Sequence, residues 1–116
     1  MAGLSTHILD TSTGKPAADV KIELFADKQP TPITSRVTNS DGRTDTPLIS
    51  PGELQQGTYE LHFHAGDYFR TRPDQDTAEV LFLDVIVIRF GISHTDQHYH
   101  VPLLLSPFGY STYRGS

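Results

Sequence analysis

The chain has 116 residues, which suits one domain with its own core and is too short for two ordinary domains, so we expect a single domain over residues 1–116. The absence of cysteine excludes disulfides, thiolate catalysis and thiolate metal sites. The net charge is −5 and the nine basic residues are scattered, so the basic cluster that nucleic acid or an anionic membrane would require is missing.

The start, the end and the apolar runs of the sequence predict a cytoplasmic protein. Residues 1–7 have neither the basic nor the apolar region of a secretory signal, and the last residues do not match the peroxisomal Ser-Lys-Leu type. The longest apolar run, 80–90, is interrupted by Asp84 and Arg89 and is too short to span a bilayer. We therefore expect neither membrane nor nucleic acid as a partner.

Four stretches of the chain carry the patterns of β-strands. In 20–25 and 58–64, apolar and polar side chains alternate, which predicts strands with one buried and one wet face. The run 85–90 is almost wholly apolar and β-branched, which predicts a strand covered on both faces. The fourth stretch is 99–105. One of its faces holds Tyr99, Val101, Leu103 and Leu105, and the other holds His98, His100, Pro102 and Leu104.

Turn residues separate these runs. The segments 13–16, 39–42 and 50–52 have turn chemistry, and 66–72 favours a short helix. We expect the polar loop 71–77 to be exposed. Short strands with frequent turns in a chain of this length predict an antiparallel β-sandwich.

The histidines are the first candidates for chemistry, and there are six of them: His7, His62, His64, His94, His98 and His100. Two pairs have His-x-His spacing, and alternate residues of a strand point to the same side, so each pair can converge on one ligand. Imidazole is a frequent zinc ligand, which leaves a metal site at His98 and His100 open. His62 and His64 fit the solvent-facing side of a half-buried strand. The partly apolar face of the other pair favours a pocket or an interface as much as plain surface.

Arg43 and the end of the chain are the other candidates. Arg43 follows a turn, from which a guanidinium can bind a planar carbonyl or carboxylate through two donors, although charged turn residues are commonly just solvated. The sequence ends in Tyr113-Arg114-Gly115-Ser116, which places a carboxylate and a hydroxyl beside Tyr113 and Arg114. An edge strand capped by a small residue explains the same pattern.

Other catalytic templates are missing from the sequence. It has no Gly-x-Ser-x-Gly elbow, no thiol nucleophile and no Gly-rich phosphate loop. The carboxylates Asp74 and Asp76 lie in a polar loop, where solvation explains them. An enzyme built on this chain therefore depends on His, Arg, Tyr and the end of the chain.

Three blocks of the sequence together resemble the transthyretin-like 5-hydroxyisourate hydrolases. Residues 4–10, followed by 14–17, are similar to that family's opening strand, and Asp41-Gly42-Arg43 is similar to its arginine-bearing turn. Residues 98–107 with the final tetrapeptide are very similar to its C-terminal signature. The resemblance covers essentially the whole chain. It is specific because the histidine pair and the tetrapeptide occur together at the expected spacing.

The resemblance implies a fold, an assembly and an activity. The fold is all-β: a transthyretin-like (prealbumin-like) antiparallel β-sandwich of two four-stranded sheets with one short helix. The assembly is a homotetramer with active sites in a channel between subunits. The activity is hydrolysis of the lactam ring of 5-hydroxyisourate, in the urate degradation branch of purine metabolism, to 2-oxo-4-hydroxy-4-carboxy-5-ureidoimidazoline, with no cofactor and no metal.

The resemblance also implies which residues form the site. The catalytic positions are matched by His7, Arg43 and His100. The positions that bind substrate or shape the pocket are matched by His98, Tyr113, Arg114, Gly115 and Ser116. A neutral imidazole can take up and return a proton near pH 7. We assign the general base to His100, with His7 polarising the substrate or relaying the proton and Arg43 stabilising oxyanion charge.

Two other functions stay open at this stage. A transthyretin-type carrier would bind a small aromatic ligand in the same channel, but such carriers lack the histidines at the positions of His7 and His100. A metal-binding sandwich would use His98 and His100, with or without His7 as a third ligand. The sequence departs from the family between residues 74 and 96, where 80–84 replaces a more aromatic, proline-containing approach to the long strand. This departure concerns the loop geometry and not the catalytic set.

Overall fold

Within residues 2–72 and 80–115, which the computed structural model of the protein describes, the fold consists of eight strands and one helix. In chain order the elements are β1 (Leu4–Asp10), β2 (Lys15–Pro16), β3 (Lys21–Ala26), β4 (Thr34–Val37), β5 (Gly57–His64), α1 (Ala65–Arg70), β6 (Val85–Ile92), β7 (Tyr99–Ser106) and β8 (Gly109–Thr112). No helix in this part of the chain is long and apolar enough to cross a membrane.

The strands form two four-stranded sheets, which confirms the predicted sandwich with one short helix. Sheet 1 has the order β2-β1-β7-β8, and sheet 2 has the order β4-β3-β5-β6. Pairing is antiparallel except between β1 and β7, which run parallel. A purely antiparallel sandwich was therefore too simple a prediction. Nearly the whole chain separates β1 from β7, and a long connection permits the parallel pairing that a tight hairpin excludes.

Side-chain alternation places the core between the sheets. On β7 the inward face carries Tyr99, Val101, Leu103 and Leu105, all at most 6% exposed, as the alternation predicted. Fully burying one such leucine stabilises the fold by about 1.5–3 kcal/mol. The outer face of the same strand presents His100, half-buried, to the surface of sheet 1.

The predicted strands lie within one or two residues of the observed ones. The stretches 20–25 and 58–64 correspond to β3 and β5, and 99–105 corresponds to β7. The helix was expected over 66–72 and lies at Ala65–Arg70. Period-two alternation thus located the longer strands, while the ends of the elements depend on local hydrogen bonds that a pattern does not specify.

The prediction that 85–90 is covered on both faces is wrong for the single chain. Strand β6 is an edge strand of sheet 2. Ile86 and Ile88 are buried, but Val85 and Val87 on the opposite face are 42% and 45% exposed. A β-branched run suits the pleated backbone of any strand, so its composition did not distinguish an edge from a centre.

A buried carboxylate joins the helix to sheet 1. Asp10, the last residue of β1, is 0% exposed and accepts hydrogen bonds from the Tyr68 hydroxyl at 2.7 Å and from Arg72 Nη1 at 3.0 Å. The Ser12 amide also donates to it, at 3.0 Å. A six-residue helix is too short to be stable alone. This contact and the buried Phe69 ring therefore hold α1 in place.

The region where the sequence departs from the family lies partly outside the described residues. The predicted exposed loop 71–77, with Asp74 and Asp76, falls mostly on residues 73–79, which are not described. Beyond them, Phe82 is 73% exposed, and its ring centroid lies 6.1 Å from that of Phe108. The Asp84 carbonyl accepts a hydrogen bond from Gly66 of α1 at 3.0 Å, so this segment returns to the helix before β6 begins.

Candidate active site

Two histidines lie together on the outer face of sheet 1. Ser5 and His7 alternate with buried neighbours on β1, so both point away from the core. The parallel register pairs Ser5 with His100 and His7 with Pro102, which makes His7 and His100 diagonal neighbours on this face. The influence of His7 on the pKa of His100 agrees with that proximity. The fold therefore brings together two of the predicted catalytic residues from opposite ends of the sequence.

A glycine lets the turn at 39–42 approach β1 closely. Gly42 has φ +74°, a conformation that favours glycine. Its carbonyl accepts a hydrogen bond from the Ile8 amide at 2.9 Å. A Cβ at position 42 would collide with the Ile8 carbonyl oxygen. Glycine is thus required here both for its backbone conformation and for the close contact with β1.

The same turn places Arg43 beside His7. Asn39 Oδ1 accepts hydrogen bonds from the amides of Asp41 at 2.9 Å and Arg43 at 3.2 Å, which fixes the turn. Arg43 then forms an isolated antiparallel bridge with His7. Its side chain is exposed on the single chain, so the guanidinium remains available to a ligand.

Burial and the charge of Arg43 keep both imidazoles neutral. Burial is the largest cause that lowers the pKa of His7 and of His100 below 6.5, and the Arg43 guanidinium is the second cause for each. The backbone and the carboxylate of Asp41 oppose the shift at His7. At His100, His7 and His98 lower the pKa further, and the Ser5 backbone opposes them. Near pH 7 each ring therefore has one protonated and one unprotonated nitrogen.

Gly115 packs directly on the His100 ring. Its amide donates a hydrogen bond to the His100 carbonyl at 2.8 Å, and the two residues form an isolated antiparallel bridge. A Cβ at position 115 would lie 2.6 Å from His100 Cδ2. The glycine of the final tetrapeptide therefore allows the backbone to lie against the imidazole and limits where that ring can move.

Arg114 makes its contacts on the other side of the sheet. Its guanidinium lies over the Tyr99 ring, 4.1 Å from the centroid, and Nη2 donates to Gln97 Oε1 at 3.1 Å and to the His98 carbonyl at 3.2 Å. Tyr99 belongs to the buried face of β7. In the single chain Arg114 therefore packs against the start of β7 and does not join His7 and His100.

The last two predicted pocket residues are not part of the described cluster. Tyr113 is 58% exposed, and Ser116 lies outside the described residues. Roles for both in binding substrate stay predictions.

Ser5 belongs to the cluster, and the sequence patterns did not identify it. Its hydroxyl oxygen lies 2.8 Å from His100 Nδ1 and 3.0 Å from His98 Nε2. His98 reaches the site through this contact. A serine on a strand does not by itself indicate a functional site. The available signal was its position two residues before His7, which places both on one face.

The other His-x-His pair lies on sheet 2 and is bound to carboxylates. His62 Nε2 lies 2.9 Å from Glu60 Oε1, and His64 Nε2 lies 2.7 Å from Glu23 Oε1. His94 is exposed in the loop before β7. Within the described ranges 2–72 and 80–115, no group of three or more His, Asp or Glu side chains is arranged to hold a metal ion.

These features define a class of protein, a transthyretin-like sandwich with a cluster of ionisable side chains on the outer face of one sheet. The profile of the HIUase/Transthyretin family matches residues 4–115, and the chain belongs to this family. A relative from Deinococcus radiodurans, a 5-hydroxyisourate hydrolase, is 55% identical over 116 residues, which cover 98% of this chain and 96% of that protein.

Solved structures with different functions share this fold. (S)-allantoin synthase superposes with a TM-score of 0.89 at 42% identity over 99% of this chain, which spans only 44% of that longer chain. Klebsiella pneumoniae 5-hydroxyisourate hydrolase gives 0.80 at 36% identity, covering 100% of this chain and 94% of that one. Sea bream transthyretin in complex with thyroxine gives 0.81 at 28% identity, covering 98% and 95%. The fold alone does not select a function, so the side chains must.

Proposed function

We propose that this protein is an enzyme that hydrolyses 5-hydroxyisourate, opening its lactam ring to give 2-oxo-4-hydroxy-4-carboxy-5-ureidoimidazoline in urate degradation. The relative from D. radiodurans and the K. pneumoniae structure, both named 5-hydroxyisourate hydrolase, support this activity. The observation that supports it most within the chain is the convergence of His7, Arg43 and His100 on one face of sheet 1.

The chemistry of lactam hydrolysis suits these three side chains. The oxygen of water bonds to the carbonyl carbon, the carbon–nitrogen bond breaks, and a proton passes to the leaving nitrogen. A neutral imidazole that takes the proton from water and returns it contributes typically about 10²–10⁴-fold in rate. The Arg43 guanidinium can hold the polar edge of the ring and stabilise the oxyanion, for which a single donor is worth about 10²–10³-fold.

The test is the spectrophotometric decay of freshly generated 5-hydroxyisourate at neutral pH. The purified protein should accelerate the decay, and Arg43→Ala or His100→Asn should lower the rate at least about tenfold. His94→Asn is the matched control, because His94 is exposed in a loop before β7 and should leave the rate unchanged. No acceleration by the parent protein would overturn the proposal.

A carrier for a small aromatic ligand is the competing function for this fold. Two imidazoles and a guanidinium make this face polar, which suits a heterocycle rich in carbonyl and N–H groups better than an apolar aromatic ring. Thyroxine titration into the same preparation distinguishes the two functions. Tight binding without hydrolysis would favour the carrier, whereas we expect hydrolysis without tight thyroxine binding.

We also propose that one domain over residues 1–116 assembles as a cytoplasmic homotetramer with the sites between subunits. Apolar side chains on the edge strands support an interface: Val87 of β6 is 45% exposed and Tyr110 of β8 is 46% exposed. Light scattering should give four times the 12.9 kDa chain mass. Fractionation of cells that make the untagged protein tests the location.

A further inference from the structure

The hydroxyl of Ser5 connects two histidines to a backbone amide. Ser5 Oγ lies 2.8 Å from His100 Nδ1 and 3.0 Å from His98 Nε2, and the Gly3 amide donates to His98 Nδ1 at 3.2 Å. Gly3 is buried, and its carbonyl accepts a hydrogen bond from the Tyr99 amide at 2.9 Å. The amide at the start of this chain of hydrogen bonds is therefore held in place by the backbone pairing of sheet 1.

The first hydrogen bond in this chain has a defined direction, and the others can follow it. A backbone N–H can only donate, so His98 Nδ1 must accept, and the ring proton of His98 is on Nε2. That N–H then donates to Ser5 Oγ. The hydroxyl has one proton of its own, and the 2.8 Å contact allows it to donate this proton to His100 Nδ1. In this arrangement the proton of the neutral His100 ring is on Nε2, and this nitrogen is a hydrogen-bond donor.

His7 lies on the same face and forms an isolated backbone bridge with Arg43. In a neutral imidazole only one nitrogen carries a proton, so the other nitrogen of His7 can accept one. The two imidazoles therefore offer the substrate different groups, an acceptor from His7 and an N–H donor from His100.

We propose that Ser5 and His98 are positioning residues that hold His100 as the Nε2–H tautomer, so that His100 donates a hydrogen bond to the oxyanion while His7 is the general base. The proposal rests on the hydrolase function above and reverses the assignment of the base to His100. In this scheme His7 takes a proton from water and returns it to the leaving nitrogen. His100 keeps its proton throughout and stabilises the negative charge on the carbonyl oxygen, as a neutral imidazole can.

The tautomer is measured directly by 15N NMR of the histidine side chains in the full-length protein at neutral pH. We expect His100 Nδ1 to be unprotonated and Nε2 to be protonated. In Ser5→Ala the fixed preference should be lost. A parent protein in which His100 carries its proton on Nδ1, donated for example to the Ser5 carbonyl, would overturn the proposal. This measurement needs no substrate, so it is independent of whether the proposed hydrolase activity is found.

Kinetics provide the second measurement. Ser5→Ala should lower kcat on the order of tenfold or more with a smaller change in KM, because the oxyanion hydrogen bond forms only in the transition state. Ser5→Thr keeps the hydroxyl and should restore both the tautomer and most of kcat. Ser35→Ala, an exposed serine on β4 of the other sheet, is the control. An unchanged kcat in Ser5→Ala would count against the proposal, whereas an inactive parent would reject the hydrolase function instead. If Ser5→Ala does not fold, the His100 tautomer measured in the parent protein still tests the proposal.

Discussion

Arg43 lowers the pKa of both His7 and His100, and this links one residue to the pH range of activity. In the proposed mechanism both rings act as neutral imidazoles, and their folded pKa values lie below 6.5. We therefore expect kcat/KM to stay high at neutral pH and to fall as the pH drops through these lowered values. In Arg43→Ala the electrostatic part of the shift is lost, so the acidic limb of the residual activity should move to higher pH.

Arg36→Ala is the control for this shift. Arg36 lies on β4 of the other sheet and donates to Thr34 and Thr46, so its removal should leave the acidic limb in place. A pH–rate profile of the parent and the two variants measures the effect. An acidic limb that does not move in Arg43→Ala would show that the guanidinium does not act on the histidines.

Gly115 allows a second prediction at the scale of one atom. A Cβ in Gly115→Ala would lie 2.6 Å from His100 Cδ2, so the ring would have to move. A displacement of about 1 Å can cost on the order of 10²-fold in rate. We expect kcat/KM to fall by at least about tenfold while the urea midpoint changes little, because position 115 is at the edge of the fold, outside the hydrophobic core.

Gly109→Ala serves as the matched glycine variant. Its added Cβ would meet only Ser106 Oγ, at 3.8 Å, which is an ordinary contact. Activity should therefore be retained. Equal activities of the two variants would mean that the His100 ring is not constrained by position 115.

The residues of the site differ in how far the sequence predicts them. His7, Arg43 and His100 were selected by residue type and by resemblance, and the fold brings them together. Arg114 was selected in the same way, but it contacts Tyr99 on the other side of the sheet. Ser5 was missed. Its role depends on a parallel register with a strand at the opposite end of the sequence, which local periodicity does not contain.

The contact between α1 and β1 carries the main prediction about stability. Asp10 is fully buried, and removing the charge from one member of a buried ion pair costs about 3 kcal/mol or more. Asp10→Asn should therefore lower the free energy of unfolding by about that amount, measured by urea denaturation at pH 7. Asp67→Asn is the control. Asp67 is 75% exposed and pairs with Arg70 at 3.4 Å, so its loss should cost less than about 1 kcal/mol.

The same carboxylate makes the stability depend on pH. Burial raises the pKa of Asp10, but hydrogen bonds from Ser12 and Tyr68 and the charge of Arg72 outweigh it, so the folded pKa lies below the ordinary 3.8. The stabilisation is therefore fully present above about pH 4 and is lost as the pH falls through the folded value. The difference in the free energy of unfolding between the parent and Asp10→Asn should shrink over that acidic range. A difference independent of pH would assign the effect to packing.

Among the elements, length and pairing decided what could be predicted. Strands β3, β5 and β7 have six to eight residues, which is enough for alternation to be visible. Strands β2, β4 and β8 have two to four residues and were not located individually, because their extended backbone depends on pairing with a longer neighbour. The parallel pairing of β1 with β7 is a property of the whole topology, and no local pattern indicates it.

At the scale of the whole molecule, the single chain leaves the site open on one side. Arg43 and Tyr113 are exposed, and His7 and His100 are only half-buried. Catalysis by charge stabilisation works best in a site from which water is excluded. Excluding water from the outer face of sheet 1 therefore requires another surface packed over it. A second copy of the chain can provide that surface if the proposed tetramer forms.

This leads to a prediction that couples assembly to activity. The specific activity per chain should be constant while the protein is a tetramer and should fall when dilution dissociates it, because dissociation exposes the histidines to bulk water. Light scattering and 5-hydroxyisourate decay measured on the same dilution series test this. Val87→Lys places a charge on the exposed face of edge strand β6. If that edge is an interface, both the dissociation of the tetramer and the loss of specific activity should occur at higher protein concentration in this variant. A monomer with full activity per chain would show that one subunit is sufficient and that the open face of sheet 1 is already the complete site.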